Sequence, residues 1–107
     1  MQTRKAIVAG QFYPAEHDPC VDEINEYLGE IPFQEDLPEK IVAGIVPHAG
    51  WVFSGNLAAR VFAAIKQQER KIDTFVVFGA AHGYFGWHPA VYDKGFWITP
   101  IGQAAVD

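Results

Sequence analysis

The chain has 107 residues, half of them hydrophobic and 14% aromatic, which suffices for one folded domain around one core. Its formal net charge of −5 and its lack of a basic run argue against nucleic acid and against an anionic membrane as partners. The single cysteine, Cys20, excludes an internal disulfide framework, and no signal peptide or membrane span is visible, so we expect a cytoplasmic protein.

The first third of the chain predicts one strand and one helix. Residues 6–10 form a short apolar run that ends in glycine, which favours a strand. Asp18 followed by Pro19 predicts a helix N-cap and the first helical position. Apolar residues then recur at helical spacing over residues 21–28, and Gly29 predicts the end of this helix.

The central part of the chain predicts a βαβ unit. Residues 30–39 carry acids and prolines and predict a surface loop. Residues 41–46 and 74–78 are continuously apolar, which is typical of strands covered on both faces in a parallel sheet. Between them, Ser54 predicts the cap of a helix with an apolar stripe over residues 57–65. We therefore expect an α/β fold with a mainly parallel sheet and a right-handed crossover.

The last part of the chain predicts little regular structure. Residues 83–97 are rich in glycine and aromatic residues, and short strands are expected near residues 90–92 and 96–98. No repeat, low-complexity tract or linker interrupts the sequence, so we expect a single α/β domain over residues 1–107.

Two histidines follow the two predicted central strands. His48 lies just after residues 41–46, and His82 lies just after residues 74–78. Parallel strands lie about 5 Å apart and their carboxyl ends meet at one edge of a sheet, so both imidazoles are expected there. Neutral imidazole is a ligand for zinc, copper and iron, which indicates a metal site. A loop histidine is also often an ordinary hydrogen-bonding residue, and the sequence pattern identifies neither a third ligand nor a catalytic residue.

Aromatic residues flank both histidines in the sequence. Tyr13, Trp51 and Tyr84 are the candidates for the lining of a small aromatic pocket, while plain core packing explains them equally well. Cys20 lies near the start of the first predicted helix, where the pKa of a thiol can be lowered, although a buried structural role is more typical.

Three sequence blocks, in this order, resemble the Memo-like family, whose prokaryotic members are called AmmeMemoRadiSam system protein B. They are residues 4–14, residues 47–55 with the sequence Pro-His-Ala-Gly-Trp-Val-Phe-Ser-Gly, and residues 79–83 with the sequence Gly-Ala-Ala-His-Gly. Residues 99–102 also resemble a family segment. The resemblance covers essentially the whole chain but only the N-terminal part of the family, whose full-length members are more than twice as long.

The resemblance implies an α/β fold related to the class III extradiol dioxygenases, which are non-heme iron enzymes, here in truncated form. The family places two histidines and one cysteine around iron or copper. His48 matches the first family histidine, and His82 matches the second, although Ala80 replaces the usual proline before it. The family cysteine lies in later sequence that this chain does not contain, and Cys20 does not align with it.

The resemblance therefore implies a metal-dependent, dioxygenase-like oxidoreductase with a partial histidine site, iron or copper as its metal with zinc as a further candidate, and a small aromatic substrate. The alternative is a non-catalytic binding or scaffold protein on the same fold, or an inactive fragment that is completed by association. Either way, open sheet edges need cover, so we expect a homo-oligomer or a partner protein.

Overall fold

The computed structural model describes residues 2–83 and 86–107. It contains two helices and a three-stranded mixed sheet, which confirms the α/β class. In chain order the elements are β1 (Thr3–Arg4), α1 (His17–Gly29), α2 (Trp51–Gln67), β2 (Gly95–Thr99) and β3 (Gly102–Val106).

Helix α1 begins two residues earlier than the capping pattern predicts. Its N-cap is Glu16, and Asp18 lies in the first turn, where a carboxylate is favourable beside the positive end of the helix dipole. The Cys20 N–H donates to the Glu16 carbonyl at 3.1 Å, so Pro19 falls among the first residues, whose N–H groups have no intrahelical acceptor. The prediction that the helix ends at Gly29 is confirmed.

Helix α2 begins at Trp51, and the prediction that Ser54 caps it is wrong. Its N-cap is Gly50, and Ser54 is buried inside the helix. The Trp51 N–H donates to the carbonyl of Phe12 at 2.8 Å. This tertiary bond satisfies one of the free N–H groups at the start of the helix, so no side-chain cap is needed.

The two helices pack closely because small residues lie where they meet. Gly55 on α2 faces the ring of Tyr27 on α1, and a Cβ atom at Gly55 would lie 2.5 Å from Tyr27 Cε2. The buried apolar side chains among the described residues are also small: Cys20 on α1, with Ala59 and Ala64 on α2. The core of the described residues is therefore a helix–helix seam and not a sheet layer.

Two glutamines at the end of α2 hold the preceding loop. The Gln67 side-chain amide accepts from the Gln34 N–H at 2.9 Å and donates to the Gln34 carbonyl at 2.7 Å. Gln68 accepts from the Ile41 N–H at 2.8 Å and donates to the Pro38 carbonyl at 2.8 Å. The predicted loop is thus confirmed, and its backbone is attached to α2.

The sheet lies at the chain ends. β2 pairs in parallel with β1 and antiparallel with β3, and Pro100 and Ile101 form the two-residue turn between β2 and β3. Gly95 has a φ of 91°, and a Cβ atom there would lie 2.0 Å from the Gln2 carbonyl oxygen, so only glycine fits. The predicted strand at 96–98 is confirmed within β2, whereas no pattern predicted β3.

The strands predicted at residues 41–46 and 74–78 are not formed, nor are those at 6–10 and 90–92. The expected βαβ unit is therefore absent from the described part of the chain. Its two apolar segments are largely exposed instead of covered; Ile45 is 94% exposed and Phe78 is 92% exposed. The physical reason is that an apolar run becomes a central strand only when neighbouring strands pair with it and other layers cover it.

Gly55→Ala is expected to destabilise the protein by about 1–3 kcal/mol, because the new methyl group meets the anchored Tyr27 ring. In a helix without such a neighbour, Gly→Ala stabilises the helix by about 1 kcal/mol. The sign of the change in the free energy of unfolding therefore distinguishes the two cases. The matched control is Gly29→Ala, where a Cβ atom would meet nothing within 4 Å. Urea unfolding followed by circular dichroism measures the free energy of unfolding of both variants. Equal values for the two variants contradict the close packing of Gly55 against Tyr27.

Candidate functional site

The two predicted histidines lie side by side. Nε2 of His48 lies 3.0 Å from Nε2 of His82, with ring centroids 5.3 Å apart and ring planes inclined by 50°. Both residues are exposed. Non-helical segments bring them together, and no strand of the predicted βαβ unit takes part.

Two imidazole nitrogens at this distance need a positive charge or a proton between them. If one ring carries its proton on Nε2, it donates to the lone pair of the other. If both rings carry their protons on Nδ1, two lone pairs face each other, and a cation between them removes the repulsion. A separation of 3.0 Å would let both nitrogens reach one metal ion, with His48 and His82 as its ligands.

The start of α2 fixes the segment that carries His48. The chain runs from His48 to the N-cap Gly50, and Trp51 is bonded to the carbonyl of Phe12 at 2.8 Å. The His48 segment is thus tied to the turn at residues 7–13, which overlaps the strand predicted at residues 6–10.

An aromatic cluster surrounds Trp51. Tyr13 and Trp51, both predicted for the pocket, have ring centroids 5.4 Å apart, and Tyr27 contacts Trp51 edge-on at 6.5 Å. The third predicted pocket residue, Tyr84, lies outside the described residues. Because the Trp51 ring is in contact with both tyrosines, the cluster stabilises the start of α2, and its role as a substrate pocket stays a prediction.

Tyr27 links α1 to the first turn of α2. The apolar pattern of residues 21–28 predicted only that its side chain lies on the buried face of the helix. Its hydroxyl lies 2.8 Å from Glu23 Oε1 and 3.1 Å from the Trp51 carbonyl oxygen. The hydrogen bond to Glu23, followed by burial and by the charges of Glu23 and Glu26, raises the pKa of Tyr27 to about 12. The signal available in the sequence was Glu23 four residues before Tyr27, one helical turn away.

The remaining candidates do not join the histidine pair. Cys20 is 2% exposed, and burial, with a smaller contribution from Glu23, raises the pKa of its thiol, which supports the structural interpretation. His17 Nδ1 lies 2.7 Å from Asp18 Oδ1, and both side chains are exposed. Within residues 2–83 and 86–107, no group of three or more His, Cys, Asp or Glu residues is arranged to hold a metal ion.

Comparison with known proteins matches this chain to the Memo-like proteins over residues 4–107. The chain belongs to the Memo-like family. The resemblance that the sequence blocks indicated is thereby confirmed, and both His48 and His82 lie inside the matched region.

Several MEMO1 family proteins are similar to this Memo-like chain. One from Pyrococcus abyssi is 42% identical over 97% of this chain and 35% of its own length. Those from Pyrobaculum arsenaticum and Methanosarcina mazei are 38% and 33% identical over all of this chain and over 40% and 37% of their own lengths. The chain thus spans little more than a third of the length of these relatives.

No solved structure is a significant match to the chain. None of the helices in the described part of the chain is long and apolar enough to cross a membrane.

Tyr27→Phe is expected to lower the free energy of unfolding by about 1 kcal/mol at neutral pH, because the single hydroxyl proton shared between Glu23 Oε1 and the Trp51 carbonyl oxygen is lost. The pKa of tyrosine is near 10 in an unfolded chain and about 12 here, so the fold favours the protonated phenol. This stabilisation is complete below about pH 10 and disappears as the pH rises through about 12.

The difference in urea midpoint between wild type and Tyr27→Phe, measured from pH 8 to pH 12, tests this expectation. The matched control is Tyr92→Phe, whose hydroxyl has only a long contact of 3.4 Å to the Phe96 carbonyl oxygen. A difference for Tyr27→Phe that stays constant with pH contradicts the assigned hydrogen bonds.

Proposed function

We propose that this Memo-like chain holds a metal ion between His48 and His82, as part of the site of a dioxygenase-like oxidoreductase. The observation that carries the proposal is the approach of the two Nε2 atoms to 3.0 Å. The two rings come from positions 34 residues apart, so neither their closeness nor their facing Nε2 atoms follows from local chain geometry.

The chemistry of the two donors selects the class of metal. Imidazole nitrogen binds iron, copper and zinc well, whereas magnesium and calcium prefer oxygen ligands. We propose iron or copper, in keeping with the resemblance to non-heme iron enzymes, with zinc as the further candidate. A bound iron or copper ion would supply Lewis-acid and one-electron redox chemistry at this point of the surface.

The described residues supply binding and orientation. His48 and His82 must both be unprotonated at Nε2 to act as ligands. The Phe12–Trp51 hydrogen bond and the contact of Tyr13 with Trp51 hold the segment that carries His48. We propose that Tyr13 and Trp51 also present an aromatic surface to a small aromatic substrate, since Trp51 follows His48 by only three positions.

Two ligands are fewer than a tightly bound catalytic metal usually has. Structural and catalytic zinc sites, for example, take at least three protein ligands. We therefore expect weak binding by the 107-residue chain, with the other coordination positions filled by solvent or by a group from another polypeptide.

Metal binding is expected to depend on both histidines. Equilibrium dialysis against iron(II), copper(II) and zinc, followed by elemental analysis, should show about one ion per chain. His48→Ala and His82→Ala should each weaken binding by about tenfold or more, since a single imidazole remains.

The matched control is His17→Ala, which removes an exposed histidine that bonds only to Asp18. Binding that neither His48→Ala nor His82→Ala changes, or that His17→Ala weakens equally, contradicts the proposal. That outcome favours the alternative of a non-catalytic binding or scaffold protein on the same fold.

A further inference from the structure

One residue of α1, Tyr27, holds the first turn of α2 at several points. Its ring lies against Gly55, where a Cβ atom would come within 2.5 Å of Tyr27 Cε2. The same ring meets the Trp51 ring edge-on at 6.5 Å, and its hydroxyl lies 3.1 Å from the Trp51 carbonyl oxygen. Trp51 and Gly55 are four positions apart in α2 and so span about one turn. A side chain that contacts both ends of one turn fixes the rotation of the helix as well as its position along its axis.

Glu23 orients the hydroxyl of Tyr27. Its Oε1 atom lies 2.8 Å from that hydroxyl, and both residues are half-buried on α1. A phenol carries one proton, which is shared here between Glu23 Oε1 and the Trp51 carbonyl oxygen. A hydrogen bond to a charged acceptor is stronger than one between neutral groups, so Glu23 holds the Tyr27 side chain in the orientation that reaches Trp51.

The chain between Trp51 and His48 has little freedom to absorb a displacement. The Trp51 N–H donates to the Phe12 carbonyl at 2.8 Å. Gly50 is the N-cap of α2, and a Cβ atom there would lie 3.6 Å from the Phe12 carbonyl oxygen. Ala49 is then the single residue between the N-cap and His48. A movement of the first turn of α2 is therefore passed on to His48.

A metal ion held by two imidazoles is sensitive to such a movement. Metal–nitrogen bonds to histidine are about 2.0–2.1 Å long, and a binding site must hold its ligands within about 0.5 Å of the productive geometry. Nε2 of His48 lies 3.0 Å from Nε2 of His82. His82 follows 34 positions later and lies outside α2, so a displacement of the start of α2 changes the separation of the two nitrogens.

We propose that Tyr27 is a positioning residue for His48. From α1 it sets the first turn of α2, and through that turn it sets the separation of the two imidazoles. It acts without contact to the metal ion. The expected effect on metal affinity rests on the metal site proposed above, whereas the positioning itself can be measured in the chain without metal.

Copper(II) binding to the chain measures the effect on affinity. Tyr27→Phe keeps the ring, and with it the contact to Gly55, but removes the hydroxyl. We expect the dissociation constant for copper(II) to rise about threefold to tenfold, less than for a group bonded directly to a ligand. The electron paramagnetic resonance spectrum of the bound ion should change as well, because it reports the arrangement of the ligands.

Two controls separate positioning from loss of stability. Gln67→Ala removes two hydrogen bonds to Gln34 at the other end of α2, so it destabilises the fold without altering the first turn. Tyr92→Phe removes a hydroxyl that has only a long contact of 3.4 Å. Both variants should bind copper(II) with the affinity and the spectrum of wild type. Weakening by Gln67→Ala equal to that by Tyr27→Phe overturns the proposal.

Variants of Glu23 test the hydrogen bond with Tyr27 itself in place. Glu23→Ala removes the acceptor, whereas Glu23→Gln keeps a side-chain oxygen that accepts the same bond. Copper(II) affinity should fall in Glu23→Ala, by less than in Tyr27→Phe, and should return to the wild-type value in Glu23→Gln. Both substitutions remove the same negative charge, so equal weakening by both contradicts the assigned hydrogen bond.

Nuclear magnetic resonance of the metal-free chain separates this proposal from the proposed metal site. Nuclear Overhauser effects between the ring hydrogens of His48 and His82 report the approach of the two rings. They should weaken in Tyr27→Phe and persist in Gln67→Ala. Ring contacts in a wild-type chain that binds no copper(II) contradict the proposed function alone. Ring contacts that Tyr27→Phe leaves unchanged, or that wild type lacks, overturn the positioning role, as does unchanged copper(II) affinity in Tyr27→Phe when wild type binds the ion.

Discussion

The seating of the Tyr27 ring against Gly55 fixes how α1 lies on α2, and the position of His48 in the described site depends on that contact. The ring places its hydroxyl within reach of the Trp51 carbonyl, at the first turn of α2. The same turn receives the Phe12 carbonyl and contacts Tyr13. His48, three positions before Trp51, therefore leaves a helix end that is held from two sides. The position of one histidine is set by helix packing rather than by a sheet.

Helices were predictable here because their cause is local. The spacing of apolar residues over 21–28 and 57–65 is a property of each segment alone, and both helices are present. Their first residues were not predictable, because the start of α2 depends on the carbonyl of Phe12, distant in sequence. The strand predictions were wrong for a related reason. Residues 41–46 and 74–78 have strand propensity, but no strand in the described part of the chain pairs with them. β3 has small and polar residues and exists because β2 lies beside it.

The histidine pair was predictable from a different kind of signal. Each histidine follows an apolar run, and the sequence blocks around them resemble one family, so their approach was expected even though the expected strands are not formed. Tyr27 could not be found in this way, since its role depends on a hydrogen bond to a residue 24 positions later. Residues that bear recognisable chemistry can be read from a sequence, whereas residues that hold them in place depend on contacts that only the folded chain defines.

The glutamine contacts at the end of α2 give the loop before residues 41–46 an attachment that carries no charge. Each side-chain amide presents a donor and an acceptor, as a peptide group does, and bonds to backbone on both. The exposed pairs His17–Asp18 and Lys71–Asp73 are, by contrast, screened by salt. The loop should therefore stay on α2 at ionic strengths at which these ion pairs no longer contribute. Residue 41 then leaves the helix from the same point as the salt concentration changes.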